Sequence, residues 1–180
     1  MMPDDGARPI ALIGLMGAGK TSVARVLGER LGVGVADLDG MIEAVEGCSV
    51  AELFERAGEA WFRRREGELL AEAIRSGVRV VACGGGVVLD PERRRLLRER
   101  CRVVWLEARP ETAADRLEAA GPDPASVRPL LAGQPARERL ETLLRERAPL
   151  YAEAAHARVP TDGRSAEQVA DAVLAAVERL

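Results

Sequence analysis

Short apolar runs separated by longer amphipathic stretches set the rhythm of this chain. Ile10 to Ile13, Gly34 to Ala36, Arg79 to Cys83, Val103 to Leu106 and Ala157 to Val159 are nearly unbroken apolar segments, with the length of buried strands rather than of helices. The stretches between them predict helices, several with marked ends. The first is predicted over Lys20 to Leu31, closed by Gly32 as a helix-ending glycine. Ser49-Val50-Ala51-Glu52 and Ser165-Ala166-Glu167-Gln168 read as capping boxes, and Asp90-Pro91 as an N-cap followed by proline at the first helical position. In the last helix Val169, Ala172, Val173, Ala176, Val177 and Leu180 recur at spacings of three and four, which turns one face to a sheet and leaves Glu167, Asp171 and Glu178 in water. Strands alternating with helices predict an α/β fold: one domain over residues 1–180, with a five-stranded parallel sheet covered by helices on both faces. Ligands then bind at the carboxyl ends of the strands. Gly121 to Pro135, rich in Gly, Pro and Asp, breaks the rhythm and reads as a lid.

Composition narrows the partners. A net charge of −3 and a pI near 5.4 exclude the basic excess expected of a nucleic-acid binder. No apolar run approaches the roughly 20 residues of a membrane span, and the acidic, proline-bearing start from Met1 to Pro9 does not read as a leader. Cys48, Cys83 and Cys101 are odd in number and lack metal-site spacing, which fits reduced thiols in the cytoplasm. His156, the single histidine, has no acidic or cysteine neighbour and is expected to be structural.

The strongest chemical signal is Gly14-Leu15-Met16-Gly17-Ala18-Gly19-Lys20-Thr21, in which Lys20 is the only lysine among 26 basic side chains. Wherever any cation would serve, this sequence has arginine; here it has a compact ammonium on a flexible stem, able to reach between phosphates. The pattern is the phosphate-binding loop, placed between a strand and a helix so that backbone N–H groups, the helix dipole, Lys20 and a Mg²⁺ held by Thr21 all converge on a nucleotide. Asp37 and Asp39 follow the second strand; in an extended segment residues two apart face the same side, so both carboxylates reach one site. Phosphoryl transfer needs one carboxylate for hydrated Mg²⁺ and one for the proton of the attacking hydroxyl.

Several other cations and glycines carry two readings. Arg63, Arg64 and Arg65 sit on a helix opening near Gly58, and at most one or two can share a destination. Arg63, three residues before Glu66, is either part of a solvated face or turned inward beside that carboxylate. Gly84, Gly85 and Gly86 are either a loose turn or a place where a ligand approaches the backbone closely. Arg128, in the lid stretch, suits a late-arriving guanidinium. Arg147, ahead of a helix-interrupting Pro149, stays unassigned. Arg93, Arg94, Arg95, Arg98 and Arg100 read as a solvated face with Glu92 and Glu99.

In order along nearly the whole chain, these segments resemble bacterial shikimate kinase: the phosphate loop over 14–21, Asp37 with Asp39, Phe62-Arg63-Arg64 with Glu66, Gly84 to Gly86, Val127-Arg128-Pro129-Leu130-Leu131-Ala132-Gly133, and Arg147-Ala148-Pro149-Leu150-Tyr151. The resemblance implies transfer of the γ-phosphate of ATP to the 3-hydroxyl of shikimate, in aromatic amino-acid biosynthesis, by a monomeric cytoplasmic enzyme. The fold would be that of a nucleoside-monophosphate-kinase-like P-loop core with a substrate-binding segment over about 37–66 and a lid over about 121–135. It further implies that Lys20, Asp37, Asp39 and Arg128 are catalytic, with Asp39 as base and Asp37 joining Thr21 at Mg²⁺ through water. Gly17, Ala18, Gly19, Lys20, Thr21, Ser22, Arg116, Arg128 and Arg164 would hold ATP. Asp39, Arg63, Gly84, Gly85, Gly86 and Arg147 would hold shikimate, with the two arginines clamping its carboxylate. The rival readings are a gluconate or nucleotide kinase, against which Phe62-Arg63 and Arg147-Ala148-Pro149 argue, and a non-catalytic nucleotide-binding relative. The latter should have lost Lys20, Asp39 or Arg128, and all three are present. Trp61, beside Phe62, is expected to sense substrate, and Trp105 to be background.

Overall fold

The computed structural model of the chain describes residues 8–121 and 135–180. The predicted lid and Arg128 therefore lie outside the described residues, apart from the ends at Gly121 and Pro135. Five strands form one parallel sheet: β1 (Ile10–Ile13), β2 (Val35–Asp37), β3 (Val80–Ala82), β4 (Arg102–Glu107) and β5 (Ala157–Pro160), in the spatial order β2-β3-β1-β4-β5. The register sets Ile10 against both Val80 and Arg102, and Ile13 against Trp105. Seven helices accompany them among the described residues: α1 (Lys20–Leu31), α2 (Leu38–Glu46), α3 (Val50–Arg75), α4 (Pro91–Arg100), α5 (Pro110–Ala119), α6 (Ala136–Ala154) and α7 (Ala166–Val177).

The unbroken apolar runs have a direct cause: both faces of the sheet are covered. Ala11, Ile13, Val81, Val103 and Trp105 point into a core shared with Leu38, Phe62, Leu97 and Tyr151. Their alternates Ile10, Leu12, Val80, Val104 and Leu106 point the other way, into a core shared with Val23, Ala113 and Val173. The predicted caps are present. Gly32 ends α1 at φ 63°, both capping boxes are closed at Ser49 and Ser165, and Asp90 accepts from the Glu92 and Arg93 amides.

Three expectations change. Asp39 is not on an extended segment: Asp37 ends β2 and caps α2, and Asp39 occupies the first turn of that helix. Pro149 does not interrupt α6, which runs on to Ala154. Arg145 and Pro149 are both exposed, so the carbonyl freed by the missing N–H faces water. Nor is the arginine run of α4 uniformly solvated. Arg93 pairs with the buried Glu66, Arg94 with Glu153, and Arg98 donates to the Glu153 and Ala155 carbonyls at the end of α6. The apolar stems of these arginines let them cross a helix interface with their heads on carboxylates and carbonyls.

His156 is structural. Its Nδ1 accepts from the Val103 amide at 3.0 Å, and its own amide donates to the Val103 carbonyl at 2.8 Å. Burial, then the charges of Arg98 and Arg8, hold its pKa below the ordinary value. The unfolded chain therefore takes up a proton near pH 6.5 that the fold refuses, and stability falls as pH drops through that value. Melting curves between pH 7 and 5.5 should show a steeper loss for the wild type than for His156→Asn; equal slopes would exclude this role.

Candidate active site

A cleft of about 680 Å³ opens at the carboxyl ends of the strands, where the connections from β1 and β3 leave on opposite sides of the sheet. The loop from β1 to α1 forms its floor. Gly19 caps α1 at φ 91°, a left-handed conformation open to glycine and costly for other residues. The loop thereby turns its amides inward at the positive end of the α1 dipole. Lys20 Nζ lies across the loop, donating to the Gly14 and Leu15 carbonyls at 3.0 and 2.8 Å. Thr21 Oγ1 donates to Asp37 Oδ2 at 2.6 Å, uniting the loop with the end of β2. Arg116 of α5 braces the loop from behind through the Gly17 and Ala18 carbonyls, and also bonds Thr161 after β5. Arg116, Thr161 and the exposed Arg164 line the far end of the cleft.

The opposite end is built by α3, the Gly84–Gly86 turn and α6. Gly58, at φ 78°, divides α3 into two helical segments, bringing Phe54 of the first against Phe62 of the second at 4.7 Å between ring centroids. Arg63 lies over both rings, at 5.9 and 5.2 Å, and donates to Glu66 at 3.0 Å. Of the two readings of Arg63, the inward one is the structure's. Glu66 is fully buried, and Arg93 approaches it at 3.4 Å from α4. Burial pushes its carboxyl pKa up, Arg63 and Arg93 oppose that rise, and the nearby Asp39 charge adds to it. A Cβ at Gly84 would fall inside the Glu66 carboxylate, and one at Gly86 inside the Arg63 guanidinium. A side chain at either position would have to displace those charged groups from where they lie.

Arg147 of α6 is 4 % exposed, yet its Nε and Nη1 have no hydrogen-bond partner among the described residues. A buried guanidinium with unused donors is costly unless a ligand completes it. It borders the same cleft as Arg63, Asp39 and Gly84 to Gly86.

The structure brings together Gly17, Ala18, Gly19, Lys20, Thr21, Ser22, Asp37, Asp39, Arg63, Gly84, Gly85, Gly86, Arg116, Arg147 and Arg164 around one cavity; Arg128 lies outside the described residues. Sequence reasoning missed Phe54, Thr161 and Arg93. The pair of Phe54 and Phe62 on either side of Gly58 was a usable signal for the first; neither of the others had one. Trp61 packs against the core rather than lining the cleft. Trp105, expected to be background, lies in the core with its ring centroid 5.6 Å from that of Tyr151 and tilted by 34°.

A phosphate loop, an acidic pair at the end of the second strand and two arginines bordering the same cleft are the parts of a P-loop phosphotransferase. The shikimate kinase family model matches residues 16–178. The chain is 48% identical over 160 residues to the shikimate kinase of Symbiobacterium thermophilum, covering 89% of this chain and 90% of that one. The solved structure of shikimate kinase from Acinetobacter baumannii in complex with shikimate superimposes with a TM-score of 0.88 at 36% identity, over 96% of this chain and 94% of the other. The chain belongs to the shikimate kinase family and is an ATP-dependent kinase of aromatic amino-acid biosynthesis. A gluconokinase from Sinorhizobium meliloti, at TM-score 0.56 and 19% identity over 96% of this chain and 92% of that one, shares the fold alone.

Proposed function

We propose that the cleft transfers the γ-phosphate of ATP to the 3-hydroxyl of shikimate, with Arg63 and Arg147 clamping the substrate carboxylate and Asp39 accepting the hydroxyl proton. The observation that carries this reading is Arg147: a buried guanidinium with two unpartnered nitrogens, on a side chain that borders the same pocket as Arg63. A planar carboxylate can accept bidentately from such a fork. Asp39, on the first turn of α2, borders the same cleft as the phosphate loop, with its Oδ1 beside Gly84. Lys20 exchanges the Gly14 and Leu15 carbonyls for phosphate oxygens, and the amides of Gly17 to Thr21, with Ser22 behind them, hold the remaining charge. Arg116 and Arg164 receive the adenine end. Arg128, in the proposed lid over about 121–135, is assigned to the transferred phosphate on its sequence context.

Thr21 and Asp37 supply hard oxygen ligands 2.6 Å apart, and no group of three His, Cys, Asp or Glu side chains occurs among the described residues that could hold a metal by itself. This suits Mg²⁺, which prefers few protein ligands together with phosphates and water. When bound it neutralises charge on the phosphates. We further propose a single domain that acts as a cytoplasmic monomer. Few large apolar side chains are exposed among the described residues: Leu31, Val35, Val45, Leu89 and Leu180. The cysteines are free, and no described helix is long and apolar enough to cross a membrane.

The decisive assay is coupled ADP release with shikimate, gluconate and nucleoside monophosphates as acceptors. Turnover should be confined to shikimate. Turnover of another acceptor in its place would overturn the carboxylate clamp.

A further inference from the structure

Three successive glycines after β3 pose a problem for a binding site. A Gly-Gly peptide has no Cβ on either side to bias it, so its plane can turn over at little steric cost. Gly86 borders the substrate end of the cleft, and the direction of its amide decides whether that turn offers a donor or an acceptor to a ligand.

Tyr151 supplies what the glycines lack. It is fully buried on α6, one helical turn after Arg147, and its hydroxyl donates to the Gly85 carbonyl at 2.5 Å. The ring is held against Trp105. A phenol hydroxyl in an apolar core is unfavourable unless hydrogen-bonded, which gives the oxygen at this position a reason that packing alone does not. Gly85 lies beside the phosphate loop and Arg147: a Cβ there would make ordinary contacts, 3.5 Å from both the Gly14 carbonyl oxygen and the Met16 amide nitrogen and 3.7 Å from Arg147 Nη1.

The C=O and N–H of a trans peptide point in opposite directions. With the Gly85 carbonyl drawn toward α6, the Gly86 N–H is turned the other way. We propose that Tyr151 is a positioning residue for the acceptor substrate: its hydrogen bond to the Gly85 carbonyl locks the Gly85–Gly86 peptide so that the Gly86 amide faces the cleft as a donor to a substrate oxygen. The phenol stays a donor at any working pH, because burial, against the pull of Arg147, pushes its pKa up to about 12. One helix thus carries both the guanidinium that meets the substrate and the hydroxyl that orients the backbone opposite it.

This inference rests on the reading of shikimate as acceptor. The test is Tyr151→Phe, which keeps the ring and removes the oxygen. KM for shikimate should rise roughly tenfold, the effect of one lost hydrogen bond with its carbonyl left unpaired, while KM for ATP stays within about twofold. A purely structural role would lower the melting temperature and the active fraction with both KM values unchanged; that result, or a parallel rise in the two, overturns the proposal. Should the variant fail to fold, the wild type still decides through the ¹⁵N–¹H resonance of Gly86. Saturating shikimate should move the amide proton downfield, and an unmoved resonance overturns the proposal. Absence of shikimate turnover by the wild type would instead sink the underlying functional reading.

Discussion

Asp39→Asn is expected to lower kcat by about three orders of magnitude while KM for shikimate changes by less than about tenfold. Asparagine is nearly isosteric and keeps one carbonyl oxygen, so the first turn of α2 has no reason to move. What disappears is the capacity to take a proton as the 3-hydroxyl attacks, a contribution of about 10²- to 10⁴-fold in general base catalysis. An interaction made only in the transition state lowers kcat and kcat/KM together. Steady-state kinetics with either substrate saturating, beside a circular dichroism spectrum matching the wild type, would check this. A kcat within about tenfold of wild type would remove Asp39 from the role of base and leave positioning by the phosphate loop as the main source of rate.

Arg147→Met should separate binding from stability. KM for shikimate is expected to rise by about 30- to 1000-fold, about 2 to 4 kcal/mol, since the substrate carboxylate would enter a buried site with one of its two cationic partners gone. The fold should not suffer in proportion. Arg147 is a buried guanidinium with two idle nitrogens in the ligand-free protein, and replacing such a charge with an apolar side chain of similar volume is often neutral or stabilising. The melting temperature without substrate should therefore hold or rise as affinity collapses, the pattern expected where a site keeps an uncompensated charge for its ligand. An unchanged KM would mean that the carboxylate docks elsewhere. A large fall in melting temperature would mean that the guanidinium serves the core.

How much of this was legible in the sequence follows from the range of the interactions involved. The strands, the first helix and its Gly32 end, the two capping boxes and the phosphate loop were all readable, since periodicity, caps and a glycine-rich turn act between residues a few positions apart. Asp37 and Asp39 were expected to face one cleft and both border it, but by a different geometry from the one expected. The sequence reading took them as alternate residues of one extended strand, whereas they are a helix cap and a first-turn residue. Both geometries point them at the cleft, because the carboxyl end of β2 is also the amino end of α2.

The sequence by itself determined the chemistry available: a single lysine in a phosphate loop, two acids at the second strand, and more arginines than any site could use. Tertiary structure alone decided what each arginine meets. Arg63 of α3, beyond the bend at Gly58, and Arg147 of α6 border one cleft although 84 positions separate them, and no local pattern encodes that meeting. The same holds for Arg93, read as solvent-facing from its own helix and found against Glu66 of another. A helix specifies which residues share its face, but only the packing of helices on the sheet specifies what that face meets, and whether a charge on it ends in water, on a carboxylate or waiting for a ligand.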